Sequence, residues 1–240
     1  MKKVAIVTGG TSGIGEATGK ELTRRGWQVA AIARSKAHPE IFTIQGDVAQ
    51  DADCRRAARQ VLDKWGRIDA LVNNAGTTKM VPHADLEGLS AEDFERIYRL
   101  NVVAPFQMVR ACAAALKSAQ GAIVNVSSVA SVLGTGSSVA YAASKAALET
   151  MSLSLARSLA PEVRVNVVAP GHTRTPWHEA ARGAAGAAEV EKRYSAIAPL
   201  KAVSQAEDVA DAIVWLLEGA RSVTGEIIYV DGGMHIAAPR

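Results

Sequence analysis

The sequence predicts an α/β chain built on one doubly wound, parallel sheet of seven strands. Three observations carry that expectation. Short apolar, β-branched runs recur along the chain, and helix-like segments separate most of them. The runs are almost continuously apolar rather than alternating, as strands covered by helices on both faces are. Strand-helix-strand alternation then makes the strands parallel, because each crossover returns the chain in the same direction. With 240 residues, 48% of them hydrophobic and 21% charged, the chain can bury a sizeable core as a single domain over 1–240.

Each element can be justified in chain order. The first run, KVAIV (3–7), leads through TGGTSGIG (8–15) into the helix-like GEATGKELTRRG. WQVAAIA (27–33) and IFTIQ (41–45) follow, then the helix-like DADCRRAARQVLDKWG. The run IDALVNN (68–74) precedes a long helix-like stretch, AEDFERIYRLNVVAPFQMVRACAAALKSA, and AIVNVSS (122–128) precedes YAASKAALETMSLSLARSLA. VRVNVVAP (163–170) and EIIYVDGG (226–233) complete the sheet. Ser90 with Asp93, and Ser204 with Glu207, have the spacing of capping boxes and mark two helix starts. The stretch 172–202 breaks the rhythm: it is rich in Ala and Gly and has no strand signal. Its place after a strand's carboxyl end reads as a lid over a ligand site.

Composition excludes several function classes. The net charge is +3, with no block of like charges and no basic stripe interleaved with aromatics, so no nucleic-acid partner is expected. Cys54 and Cys112 lie in helix-like stretches without a CxxC partner and read as free thiols. No His/Cys/Asp cluster has zinc spacing, and no metal is expected. The apolar run at 4–7 is too short for a signal sequence, and no stretch approaches the roughly 18 apolar residues of a membrane span. The expected location is the cytoplasm, with no membrane partner.

Ligands of doubly wound sheets bind beyond the carboxyl ends of the strands. Gly9, Gly13 and Gly15, placed where the first strand hands over to a helix, give a tight turn, a backbone without Cβ and an open helix amino end. That is a cradle for a dinucleotide phosphate. Tyr141 and Lys145 stand four apart at the start of a helix and share one face. A neighbouring ammonium favours the phenolate, so the Tyr141 pKa is expected below the ordinary value of about 10.

TGGTSGIG, NNAG (73–76), YAASK (141–145) and PG (170–171) occur in the order and spacing of one family, and the similarity runs from residue 3 to the VDGG near the carboxyl end. The chain resembles the short-chain dehydrogenases/reductases, and the resemblance implies their Rossmann fold. Closest in type are 3-oxoacyl-acyl carrier protein reductases and ketone or alcohol dehydrogenases. It implies hydride transfer between a nicotinamide and a small-molecule carbonyl or secondary alcohol. Tyr141 is then the general acid/base, Ser128, thirteen positions before it, a hydrogen-bond donor to the same oxygen, and Lys145 the holder of the nicotinamide ribose. Asn101 would distort a helix and anchor a proton-relaying water. Ser127, on the opposite face of its strand, is not part of this set.

The resemblance also assigns the cofactor contacts. Gly9, Thr11, Ser12, Gly13, Ile14 and Gly15 form the phosphate loop; Asp47 and Val48 face the adenine; Asn73 or Asn74, Ala75 and Gly76 support the dinucleotide, and Pro170, Gly171 and Thr173 reach the nicotinamide, with Thr175 competing. Ala33 stands where NAD-selective relatives carry Asp, and Arg34 and Ser35 follow, which favours NADP(H). NAD(H) is the alternative, since Thr11 and Ser12 replace the basic residue that many NADP-dependent relatives carry. Residues 130–138, Trp177 and 177–200 would line the substrate pocket. Small-residue helices at 102–118 and 141–160 imply a homotetramer. A halide-releasing enzyme is disfavoured by Lys145 and the intact glycine loop, and a nonenzymatic dinucleotide sensor by the complete Asn-Ser-Tyr-Lys set.

Overall fold

β1 (Val4–Thr8) is buried along its length, and its alternate side chains feed two cores. Val4 and Ile6 pack with Val61, Met108 and Leu116 on one face. Ala5 and Val7 pack with Leu22, Val209 and Ile213 on the other. The structure is a computed structural model that describes residues 1–34 and 37–237, without the side chains of 178–182.

From β1 the chain runs through α1 (Gly13–Arg24), β2 (Gln28–Ala33), β3 (Phe42–Gln45), α2 (Asp51–Trp65) and β4 (Ala70–Asn73). It continues through α3 (Ala91–Tyr98), a π-helical turn (Arg99–Val103), α4 (Ala104–Ala119), β5 (Ala122–Val126), α5 (Ala130–Leu133) and α6 (Val139–Leu159). β6 (Arg164–Pro170), β7 (Thr173–Arg174), α7 (Pro176–Ile197), β8 (Ser204–Gln205), α8 (Ala206–Glu218) and β9 (Ile227–Val230) complete it. The main sheet has the order β3-β2-β1-β4-β5-β6-β9, and every neighbouring pair is parallel. All seven expected strands are present in it. Strand order reverses between β1 and β4, so the connections leaving their carboxyl ends diverge and open a crevice there. α1 and α8 cover one face of the sheet; α2, α4 and α6 cover the other.

Three local expectations need correction. The stretch 91–119 is not one helix: α3 stops at Tyr98 and a π-helical turn containing Asn101 precedes α4. The capping box of Ser90 and Asp93 is present, but that of α8 is made by Gln205 and Asp208. Ser204 is held in an extended pairing with Thr173, so the helix begins one position later than its sequence signal. That same pairing, β7 with β8, is a strand signal the sequence lacked, and it clips together the two ends of the excursion that carries α7. Cys54 and Cys112 are both buried, and desolvation pushes the Cys112 thiol up to about 12. Among the described residues, no helix is long and apolar enough to cross a membrane.

Candidate active site

The turn after β1 is shaped by what packs behind it. Gly13 opens α1 with a φ of +52°, a conformation that disfavours a Cβ. A Cβ on Gly15 would lie 2.3 Å from the Gly9 carbonyl oxygen and 2.5 Å from the Asn74 side-chain nitrogen. Asn74 Nδ2 donates to the Thr8 and Gly9 carbonyls at 3.0 and 3.3 Å. Thr8 Oγ1 in return accepts the N–H groups of Asn74 and Ala75, both at 3.0 Å. The glycine loop and the NNAG turn are thus one braced unit. Ser12 precedes α1 without a side-chain cap, which leaves the helix's amino end open to an anion.

A cleft of about 540 Å³ runs from this loop across the ends of the strands. Of the expected residues, Gly9, Thr11, Ser12, Gly13, Ile14, Arg34, Asp47, Val48, Asn74, Ala75, Gly76, Ser128, Tyr141, Lys145, Pro170, Gly171 and Thr173 line it. Gly15 and Asn101 stand behind the wall rather than on it. Asn73 turns away into the sheet, where its Nδ2 donates to Asn125 Oδ1 at 2.8 Å, so Asn74 is the cleft residue of that pair. Ser35 lies outside the described residues. Thr173 and Thr175 both reach the cleft, and Thr77, Leu100, Pro176 and Trp177 line it too. The expected wall from 130–138 is not part of this cleft: α5 ends at Gly134 in a left-handed turn, and Ser138 is buried as the cap of α6.

At one end of the cleft the side chains of two elements converge. Ser138 Oγ accepts the Tyr141 N–H at 3.3 Å and so sets the phase of α6. Tyr141 and Lys145 then project from one face, a turn apart. Lys145 is 5% exposed and its Nζ donates to the Val126 carbonyl at 2.8 Å. Burial pulls its ammonium down to about 8, against the opposing charge of Glu149. Ser128, just beyond β5, hydrogen-bonds the Tyr141 phenol. Ser127 lines the cleft too, beyond the end of β5, and its buried hydroxyl donates to Glu149 Oε1 at 2.8 Å.

The Tyr141 phenol is shifted opposite to expectation. Desolvation pushes it above the ordinary tyrosine value and the Ser128 hydrogen bond offsets only part of this. Lys145 Nζ sits 5.7 Å from the ring centroid, engaged with Val126 rather than with the phenol oxygen. Asn101 is 1% exposed. Its Oδ1 accepts the Thr77 N–H at 2.8 Å, and its Nδ2 donates to the Thr77 carbonyl at 3.0 Å and to Ser144 Oγ at 2.9 Å. It clamps the NNAG turn to the helix of Tyr141.

At the opposite end Arg34 follows β2, exposed, and among the described residues its guanidinium pairs with no carboxylate. Gln45 Nε2 holds the Arg34 carbonyl at 3.0 Å, while Asp47 accepts the Ala49 N–H at 3.0 Å. The cleft therefore joins an open helix amino end, a cation and a Ser-Tyr-Lys group. Such a set can hold a phosphorylated ligand and deliver a proton to an oxygen beside Tyr141. Sequence reasoning missed Glu149, although Tyr141, Lys145 and Glu149 recur at four-residue spacing in a helix otherwise rich in Ala, Ser and Leu. It also missed Thr77, whose part is played by its backbone and left no sequence signal.

A family model described as enoyl-(acyl carrier protein) reductase matches residues 9–235. A protein of Streptomyces violaceoruber, assigned as ketoacyl reductase 2 of the granaticin polyketide synthase, is 38% identical over 97% of this chain and 96% of its own length. A solved Burkholderia xenovorans protein assigned to the short-chain dehydrogenases/reductases superposes with a TM-score of 0.89 at 37% identity, over 98% of each chain. ElxO, solved with NADP bound, superposes with a TM-score of 0.88 at 27% identity, covering 98% of this chain and 99% of that one.

Proposed function

The chain belongs to the short-chain dehydrogenase/reductase family and is an NAD(P)-dependent oxidoreductase; from that premise we propose that it uses NADP(H) to interconvert a carbonyl and a secondary alcohol. The observation that carries the reading is the single cleft joining the phosphate loop to Ser128, Tyr141 and Lys145. The loop fits a dinucleotide because the Gly15 position has no room for a Cβ and the first turn of α1 lacks a side-chain cap. Bound there, the dinucleotide supplies or takes up the hydride.

The chain's own residues handle the proton and the oxygen. In reduction, Tyr141 gives its phenolic proton to the developing alkoxide while Ser128 donates a hydrogen bond to the same oxygen. A phenol kept protonated by burial is suited to act as an acid in that direction. Lys145 holds the ribose hydroxyls, and its positive charge lowers the cost of the phenolate left on Tyr141. Asn101 positions both through its clamp on Thr77 and Ser144. The phosphate loop, Asp47 and Val48, Asn74 to Gly76, and Pro170 to Thr173 hold the rest of the dinucleotide.

The preference for NADP(H) rests on Ala33 and Arg34. No carboxylate at position 33 is available to accept from a ribose 2′-hydroxyl, and Arg34 offers a cation to a 2′-phosphate. The ElxO neighbour with NADP bound supports this choice. Trp177 and the α7 segment cover the substrate end as a lid hinged at the β7–β8 clip. Exposed Val103 just before α4, Phe106 on α4 and Leu153 on α6 support pairing into a homotetramer. The test is calorimetric titration of wild type and Arg34→Ala with NADPH and NADH. NADPH binding at least about tenfold tighter in the wild type, with the preference lost in the variant, supports the reading; tighter NADH binding or an unchanged preference overturns it.

A further inference from the structure

Glu149 is 9% exposed and lies on α6 one turn beyond Lys145 and two beyond Tyr141, so the three share one stripe of the helix. Its Oε1 accepts two hydroxyls, Ser127 Oγ at 2.8 Å and Ser131 Oγ at 2.6 Å. These serines bracket Ser128. Resting on the catalytic reading above, we propose that Glu149 is a positioning residue that ties the Ser128 turn to α6 and sets a carboxylate one helical turn from Lys145 as its counter-charge.

The hydrogen-bond geometry and the charge can be separated. Each serine has one proton and two oxygen neighbours: Ser127 faces Glu149 and the Lys145 carbonyl at 3.2 Å, and Ser131 faces Glu149 and the Ser128 carbonyl at 2.7 Å. A carboxylate collects both protons; a carboxamide oxygen in the same place can do the same. Charge is what Gln lacks. Lys145 is almost fully desolvated, a condition that disfavours its ammonium, and among the described residues the anion acting on it is Glu149. From the other elements, Tyr229 on β9 also feels the charge of Glu149, which together with burial, the larger cause, raises its phenol. Beyond it Asp231 is engaged with His235, its Oδ2 lying 2.8 Å from Nδ1.

The experiment is an NMR titration of the Lys145 ammonium in 15N-lysine-labelled protein, its signal assigned by loss in Lys145→Arg, for wild type, Glu149→Gln and Glu149→Asp. Lys145 should titrate about 1 pH unit lower in Glu149→Gln and close to wild type in Glu149→Asp, with the alkaline limb of NADPH-dependent reduction moving in parallel. A Gln variant that titrates with the wild type, whatever its melting temperature, overturns the proposal and leaves Glu149 a purely structural tie. Failure of the wild type to oxidise NADPH with any carbonyl overturns the catalytic reading instead, while the titration still decides the charge on Lys145.

Discussion

Asn101 Nδ2 donates to Ser144 Oγ across 2.9 Å, tying the π-helical turn to the helix that carries Tyr141 and Lys145. The same carboxamide serves the N–H and the carbonyl of Thr77. Asn101→Leu fills the space but strands both Thr77 groups. Stability should fall by about 1–3 kcal/mol, measured by urea denaturation, and kcat should fall while the melt stays cooperative. A variant within about 0.5 kcal/mol of wild type would show that the clamp carries no energy.

Tyr141→Phe keeps the ring and removes the proton. Turnover of carbonyl substrates should drop by about 10²–10⁴-fold, with NADPH affinity and melting temperature nearly unchanged. Ser128→Ala removes one donor to the same oxygen and should cost about 10²–10³ in kcat. Steady-state kinetics beside NADPH titration separates these losses from misfolding. Equal losses in affinity and turnover would count against both roles.

Lys145 is a stability liability at neutral pH. Its folded-state pKa is about 8 against an ordinary 10.5, so between those values the unfolded chain holds more protons than the folded one. Stability contributed by this group therefore rises with pH through the window from 8 to 10.5, and the full penalty applies below 8. Lys145→Met should be more stable than wild type by about 1–2 kcal/mol at pH 7, while being inactive. The gap should narrow by pH 10 in denaturant unfolding; a gap constant with pH would contradict the linkage.

Gly15 leaves no room for a side chain. Its Cβ would sit 2.3 Å from the Gly9 carbonyl oxygen, so Gly15→Ala must push the loop off Asn74. A loss of about 1–3 kcal/mol in stability and of at least about tenfold in NADPH affinity is expected. Thermal melts with and without NADPH read both, and an unchanged ligand-induced shift would show that the loop tolerates the change.

The strands and most helices were readable because their signals are local. Val4 to Val7 are apolar whichever partners arrive, and a parallel strand covered on both faces needs little else. Tyr141 and Lys145 were readable for a related reason, since helix pitch fixes them on one face, whereas Ser128 was readable only through the spacing to Tyr141 that the family resemblance supplied. The tertiary structure decided what depends on neighbours distant in sequence. Asn73 turns inward because Asn125 of the adjoining strand accepts its amide, so Asn74 is left to brace the loop. The capping box moves from Ser204 to Gln205 because Thr173 pairs with Ser204. The Tyr141 phenol rises rather than falls because burial depends on the packing around it, and Val126 engages the lysine that sequence spacing had aimed at the phenol. Periodicity determines which face a side chain takes; desolvation and hydrogen-bond partners, supplied by segments that meet only in the folded chain, determine what it does there.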